Sequence, residues 1–187
     1  MILPIYYGSI LIATILCSTI YIFIWHKHFN LNICLIMTFI PIACLGHFMY
    51  SISNDMSEAI AAQKEIYLGS TFLQLFILLC ITNLCHIGIN KWIRTLVFII
   101  CTLTFIASIT IGKADIFYRN NSFQIKDGIS ILSREYGWGH TAYYFIVVLF
   151  FLAGLFTIIY SWNAKKQVPR TIILLLLIPY LILDILQ

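Results

Sequence analysis

An apolar stretch over residues 66–87 constrains the fold of this chain more than any other feature of its sequence. It contains no Asp, Glu, Lys or Arg, and about 20 such residues in a helix cross the hydrocarbon core of a bilayer. Polar residues interrupt it, although polar groups that face lipid lack hydrogen-bond partners. We therefore expect them to face other helices, as packing contacts or as part of a ligand site. These residues are Gly69, Ser70, Thr71, Gln74, Thr82, Asn83 and His86.

The composition places the whole chain, 1–187, in the lipid bilayer as a single domain. With 61% hydrophobic and 10% charged residues, it is far more apolar than a soluble domain. The six cysteines fall inside apolar stretches, which indicates small core residues and not a disulfide framework. The net charge of +4 does not indicate a nucleic-acid partner, because the basic residues lie in short loops where they set topology.

The hydropathy pattern predicts an all-α polytopic membrane protein with six transmembrane helices of a seven-helix bundle. Pro41 should kink the second span, because proline lacks the amide donor. The polar segment 54–65 forms either a separate surface helix or the first turns of the third span, with Ser53 or Asn54 as N-cap. The six predicted spans are 2–25, 31–51, 66–87, 92–111, 139–162, and a last one that starts after Pro169-Arg170 and is still apolar at Leu186.

The longest loop, residues 113–138, is predicted to hold a small β-hairpin between helices four and five. Residues 122–125 and 129–132 have strand character and flank Lys126-Asp127-Gly128, a turn whose glycine can take positive φ. Two strands alone are marginally stable in water. The hairpin should therefore pack on the helix ends or add a third strand from residues 116–118.

The distribution of basic residues predicts the orientation in the cell membrane. The loops after spans one, three and five carry no acid, whereas those after spans two and four mix acids and bases. The odd loops should then be cytoplasmic, with the N-terminus and the hairpin outside. Since six spans would leave Gln187 near the outer face, we expect a seventh span beyond it. The basic residues of the odd loops are Lys27, Lys91, Arg94, Lys165, Lys166 and Arg170.

Catalytic motifs such as G-x-S-x-G, H-E-x-x-H or a phosphate-binding glycine loop do not occur, so we predict no enzyme activity and no cofactor. No ligand spacing supports a metal site from His47, His140 and Asp184. Polar groups within a membrane are nevertheless candidates for a functional site. Those at the predicted outer level would line one ligand cavity, or each would bond a backbone carbonyl or lipid headgroup. They are His47, Gln74, Tyr136, Trp138, His140, Tyr143 and Asp184.

Two blocks of sequence, 45–85 and 117–154, carry recognisable motifs. The first contains Tyr67-Leu68-Gly69 at the opening of the third span. The second contains the KEYG-like Arg134-Glu135-Tyr136-Gly137, followed by His140 and Tyr143 in a His-x-x-Tyr pattern. In these features the chain resembles the N-terminal seven-helix transmembrane domain of histidine kinases.

The resemblance implies a sensory input domain of a bacterial signal-transduction protein. Members of the family precede cytoplasmic output domains, either histidine kinases or GGDEF diguanylate cyclases. The expected partners are therefore the bilayer, an outer-side or membrane signal of unknown identity, a fused output domain and a second copy in a homodimer. The family defines no ligand, so no binding residue is transferred from it.

Two other functions remain open at the level of sequence. A small transporter or channel subunit is the main alternative, although its usual internal repeat is not visible here. An integral membrane enzyme that modifies lipids would need clustered His, Asp or Glu near an interface, and His26, His28 and His86 are too sparse for that.

Overall fold

The computed structural model of the chain describes residues 2–24, 30–126 and 129–164, and within these ranges it contains five long helices and one hairpin. All five helices are long and apolar enough to cross a membrane, and they correspond to the first five predicted spans. The sixth span and Asp184 lie outside the described residues. The elements are α1 (Ile2–Ile24), α2 (Leu31–Ile52), α3 (Met56–Leu84), α4 (Lys91–Ile109), β1 (Tyr118–Lys126), β2 (Ile129–Tyr136) and α5 (Trp138–Asn163).

Helix α3 is the central element of the described structure. Helices α2, α4 and α5 all pack against it, and most of its side chains are buried. Helix α1 lies outside α2, where the Ser18 hydroxyl donates to the Met37 carbonyl oxygen at 2.6 Å. The outer faces of α1, α4 and α5 expose large apolar side chains, which suits contact with lipid.

Small residues let α2 and α3 cross at very short range. A Cβ atom added to Gly46 would lie 2.6 Å from the backbone nitrogen of Ile66, and one added to Gly69 would collide with the backbone of Ala43. Close backbone approach through small residues is the usual way in which membrane helices gain packing contacts. The two glycines are therefore required at this crossing.

The polar residues of the third span mostly face protein, as predicted. Gly69, Ser70, Thr71, Gln74 and Thr82 are buried. The prediction was wrong for two others, which lie in the last turn of α3 and just after its end at Leu84, where they are exposed. These two are Asn83 and His86.

The polar segment before the third span belongs to the same helix, since α3 begins at Met56 without a break before Leu84. Its N-cap is Asp55, so the predicted caps at Ser53 or Asn54 were wrong. The Asp55 carboxylate accepts from the Glu58 amide at 2.8 Å, and the Glu58 carboxylate accepts from the Asn54 amide at 2.8 Å. This reciprocal arrangement satisfies two amides at the start of the helix. Pro41 lies inside α2, and its kink stays a prediction.

The hairpin is longer than predicted, and it has two strands within the described residues. Strands β1 and β2 pair antiparallel from Tyr118–Tyr136 to Lys126–Ile129. The register shifts between Arg119 and Ser122, where Asn120 adopts a φ of 49°. An extra residue of this kind bends the strand locally.

The third strand predicted from residues 116–118 does not form. The Ile116 carbonyl oxygen accepts from the Gly139 amide at 2.9 Å, and the Phe117 carbonyl oxygen accepts from the Gly137 amide at 2.9 Å. These carbonyl groups therefore bind the start of α5 and not a strand. The hairpin instead packs on the helix ends, which is the other arrangement expected from the sequence.

Hydrogen bonds attach β2 to the end of α2. The Ser130 hydroxyl donates to the Ser53 carbonyl oxygen at 2.6 Å, and the Leu132 amide donates to the Tyr50 hydroxyl at 2.9 Å. Buried polar groups need such partners. The hairpin is thus fixed to α2 as well as to the helices that follow it.

Candidate functional site

A group of packed aromatic rings joins the base of the hairpin to the helices, and we call it the aromatic cluster. Its members come from α3, from the residue before β1, from both strands and from the first two turns of α5, and Arg134 lies against them. Offset and edge-to-face ring pairs of this kind add to the stability gained from burial. The cluster consists of Tyr67, Phe117, Tyr118, Tyr136, His140, Tyr143, Tyr144 and Arg134.

Tyr67 of α3 is the centre of the aromatic cluster. Its side chain is 1% exposed. The ring lies edge-on to Phe117 at a centroid distance of 4.7 Å and to Tyr143 at 5.1 Å. Its hydroxyl makes a short hydrogen bond with the hydroxyl of Tyr118. A single side chain of α3 therefore contacts both the hairpin and α5.

A second buried hydroxyl contact connects α5 to α3. The Tyr143 hydroxyl donates to Oγ of Ser70 at 3.1 Å, about one turn along α3 from Tyr67. In a low-dielectric interior such polar contacts are strong when satisfied and costly when broken. Displacement of the hairpin or of α5 would therefore disturb bonds on α3.

Arg134 of β2 lies over the ring of Tyr118. The central carbon of its guanidinium group is 4.4 Å from the ring centroid, a distance at which a cation is attracted to the aromatic face. Burial raises the pKa of the Tyr118 phenol, while the positive charge of Arg134 opposes that rise. Within the described residues, the buried Nη1 of Arg134 has no hydrogen-bond partner. The described residues therefore leave this buried donor unsatisfied.

Glu135 and Gly137, which follow Arg134 in the Arg134-Glu135-Tyr136-Gly137 motif, hold the base of the hairpin. The Glu135 carboxylate accepts from Nδ2 of Asn120 at 3.0 Å across the bulge. At Gly137 an added Cβ would collide with the carbonyl group of Ile116, so only glycine fits without a backbone shift. Each of these residues has a specific contact at the junction of hairpin and α5.

His140 in the first turn of α5 is enclosed by rings. It stacks on Tyr136 with centroids 4.0 Å apart and an angle of 4° between the planes. It also lies edge-on to Phe117 at 5.6 Å and to Tyr144 at 4.7 Å. With only 3% of the residue exposed, the imidazole is held in one orientation by its neighbours.

Three of the seven residues predicted to line an outer cavity belong to the aromatic cluster: Tyr136, His140 and Tyr143. A fourth, Gln74, is buried on α3 four residues after Ser70, and so lies on the same side of that helix. Gln74 thus lies on α3 one turn beyond the contact between Ser70 and Tyr143.

The other three predicted residues are not among these rings. His47 on α2 stacks on Tyr7 of α1, with centroids 5.5 Å apart. Trp138 is 65% exposed at the first position of α5. Asp184 lies outside the described residues. Within the described residues, no group of three or more His, Cys, Asp or Glu could hold a metal ion.

Five members of the aromatic cluster were not predicted as site residues: Tyr67, Phe117, Tyr118, Tyr144 and Arg134. All of them lie in the two blocks that carry the family-like motifs. The signal available in the sequence was the density of aromatic residues at both ends of the predicted hairpin. Because the two strands of a hairpin end side by side, these residues had to meet near the helix ends.

A concave surface lies beside the aromatic cluster, on the side of α3 and α4. It consists of a cavity of about 190 Å³ whose lining includes Tyr118, Asn120 and Asn121, and a neighbouring one of about 510 Å³. The two share Met56, Gly112 and Lys113 in their walls. None of the six predicted site residues that the structure describes lines either cavity.

Asn121 gives the smaller cavity a hydrogen-bonding group. Its buried Oδ1 has no hydrogen-bond partner within the described residues. An acceptor buried without a partner costs free energy that a donor on a ligand would recover. Asn121 lines this cavity together with Tyr118, while its unpartnered oxygen is itself enclosed.

A comparison with protein families gives a match over most of the chain. A family model described as the N-terminal 7TM region of histidine kinase matches residues 9–184. The match confirms the resemblance predicted from the motifs. No curated protein and no solved structure matches the chain.

Proposed function

The chain belongs to the family of N-terminal 7TM regions of histidine kinases, and from this premise we propose that it is the input domain of a bacterial transmembrane signalling protein. As a multi-pass membrane domain of a sensory family, it contacts the lipid bilayer directly. In our proposal it regulates a fused cytoplasmic output domain, either a histidine kinase or a diguanylate cyclase, in a homodimer. The signal then crosses the membrane through helix packing.

We propose that the hairpin and the N-terminus lie outside the cell. The described acidic residues all lie towards the hairpin end, mixed with bases, whereas Lys91 and Arg94 at the other end are accompanied by no acid. Loops rich in Lys and Arg favour the cytoplasmic side. The acidic residues are Asp55, Glu58, Glu65, Asp115 and Glu135.

Labelling with an impermeant thiol reagent tests this orientation. A cysteine at Lys126 should react in intact cells and one at Lys91 should not, in a background without the native cysteines. Reaction of both sites in intact cells, with unbroken membranes, would contradict the proposed topology.

The observation that carries the proposal is the position of Tyr67 in the aromatic cluster. Through this residue α3 contacts β1 by a hydrogen bond and α5 by ring packing. A small polar ligand in the cavity beside Tyr118 and Asn121 would move β1. Because packed cores change between discrete arrangements and do not deform smoothly, such a movement would repack α3 against its neighbours.

The ligand can shift the equilibrium between the two helix packings only by the difference between its affinities for them. We therefore expect the ligand to contact groups whose positions change, namely the Tyr118 ring and the unpaired Asn121 oxygen. His47, Gln74 and Trp138 remain proposed contributors to signal binding on the same outer side.

The proposal is tested by Tyr118→Phe in the full-length gene product. Loss of the hydroxyl breaks the bond to Tyr67, so the output activity in isolated membranes should change while the amount of inserted protein does not. Tyr160→Phe is the matched control, since Tyr160 is exposed near the end of α5. Output activities equal to wild type for both variants, with and without candidate ligands, would count against input through the aromatic cluster.

The sequence encoded after Gln187 tests the fused output domain separately. A kinase or cyclase domain there, after one more apolar span, is the expected result. If the reading frame encodes no output domain, a transporter or channel subunit becomes the better interpretation, and a solute-uptake assay replaces the activity measurement.

A further inference from the structure

The end of the bundle opposite the hairpin carries a concave polar surface centred on Arg94. It has a volume of about 220 Å³ and lies between the first turns of α2 and α4 and the last turns of α3. Asn32, Thr82, Asn83 and Arg94 supply its polar groups. None of these residues belongs to the aromatic cluster.

Two apolar grooves leave this polar surface on either side of the contact between α3 and α4. One, of about 420 Å³, runs between α3, α4 and α5 and is lined by residues such as Val97 and Phe150. The other, of about 470 Å³, runs between α2, α3 and α4 along Phe76 and Phe98. Leu79 and Arg94 line both grooves as well as the polar surface.

The charge at this end is positive and uncompensated within the described part of the chain. The guanidinium of Arg94 is exposed, and among the described residues it has no hydrogen-bond or ion-pair partner. Lys91, three positions earlier, lies on the same side of α4. No described acidic residue lies at this end of the bundle.

We infer that this surface binds a single anionic phospholipid, with its phosphate on Arg94 and its two acyl chains in the two grooves. Arginine matches the geometry of phosphate with paired N–H donors. Basic pockets between transmembrane helices bind acidic lipid headgroups. A free anion would use only the polar surface, whereas a phospholipid would also place its acyl chains in the two grooves that the described residues form. The inference does not depend on the proposed sensory function.

Retention of phosphatidylglycerol by the purified full chain tests the site. The chain is incubated with phosphatidylcholine vesicles doped with phosphatidylglycerol, re-extracted, and the bound lipid is counted by native mass spectrometry. Arg94→Gln should lower the retention about fivefold, as expected for one basic residue near an anionic headgroup. Arg94→Lys should restore part of it, since it restores the charge but not the paired donors.

Lys126→Gln is the matched control, because it removes the same charge from an exposed position on the hairpin. It should leave the retention unchanged. If Arg94→Gln and Lys126→Gln lowered lipid retention equally, the lipid would be held by general electrostatic attraction, and the proposed site would be overturned. Wild-type retention by Arg94→Gln would overturn it too.

A variant that keeps the charge tests the grooves. Ala153 is partly buried and lines the groove between α3, α4 and α5, so Ala153→Phe should fill part of it and lower retention several-fold with Arg94 intact. Inorganic phosphate should not displace the lipid. Displacement by phosphate, or full retention by Ala153→Phe with an unchanged melting temperature, would show that acyl chains are not held there.

Discussion

The two ends of α3 have opposite kinds of surroundings. At the hairpin end, Tyr67 is enclosed by rings and hydrogen-bonded to Tyr118. At the other end, Leu79 and Thr82 border open apolar grooves, and the nearby charge of Arg94 has no partner within the described residues. The same helix thus contacts interlocked aromatic rings at one end and, within the described residues, borders two apolar grooves at the other.

The difference indicates where a change of packing can start and where it can be absorbed. Interlocked rings transmit a displacement, because each ring is in contact with its neighbours. Helices that border grooves can shift by small amounts with little loss of contact. We therefore expect the hairpin end to determine stability and the Arg94 end to determine which lipids and helix positions are tolerated.

The largest expected effect is a difference in stability between truncations at the two ends of α3. Tyr67→Ala should lower the free energy of unfolding by about 3–5 kcal/mol, because it leaves a cavity and an unpaired Tyr118 hydroxyl. Leu79 borders existing space. Leu79→Ala should therefore lower the free energy of unfolding by no more than about 2 kcal/mol, the lower limit for such a truncation. Unfolding in mixed detergent micelles, followed by tryptophan fluorescence, measures both. Equal losses would show that the two ends are packed alike.

A pair of glycine substitutions gives the next largest difference. Gly137→Ala should cost about 1–3 kcal/mol, since the new methyl group meets the Ile116 carbonyl group. Gly88→Ala is the control at the opposite end, where nothing lies within 4 Å of an added Cβ. Its effect should stay within about 0.5 kcal/mol. A cost at Gly88 as large as that at Gly137 would contradict the described junction between the hairpin and α5.

The smallest expected effect is a dependence on alkaline pH at the hairpin end. Burial raises the pKa of Tyr118 in the folded state, whereas an unfolded tyrosine ionises at about pH 10. The unfolded state therefore loses this proton first, so stability falls as the pH rises above about 10 and is unaffected by this group below it. Melting temperatures across that range should fall less steeply for Tyr118→Phe than for wild type. Melting temperatures that fall equally with pH in both proteins would contradict the raised pKa of Tyr118.

Much of the fold could be predicted from hydropathy, turn residues and charge. The predicted second span at 31–51 agrees closely with Leu31–Ile52, and the fifth at 139–162 with Trp138–Asn163. The apolar part of the third span begins at Ile66 and its helix at Met56, which is one of the two arrangements that the sequence left open for the polar segment. Hydropathy marks the part of a helix that suits lipid, whereas capping by Asp55 decides where the helix begins.

The candidate site was predicted less completely, because the sequence gives the depth of a residue in the membrane better than its direction. His47 and His140 were both expected at the outer level, yet one packs against α1 and the other within the aromatic cluster. Helices that are apolar on all sides carry little pattern to show which side faces a neighbour. Tyr67 on α3 was missed for the same reason.

The sequence by itself determined a multi-pass membrane domain, its family, the number of long apolar helices in the described part and the hairpin between two of them. Lipid as a solvent requires apolar runs of fixed length, and such runs are visible residue by residue. Only the tertiary structure decided that α3 is central, that Tyr67 connects the hairpin to α5, and that Arg94 stands between two grooves. These facts depend on how helices rotate and cross, which is determined by close contacts such as that between Gly69 and Ala43 and not by hydropathy.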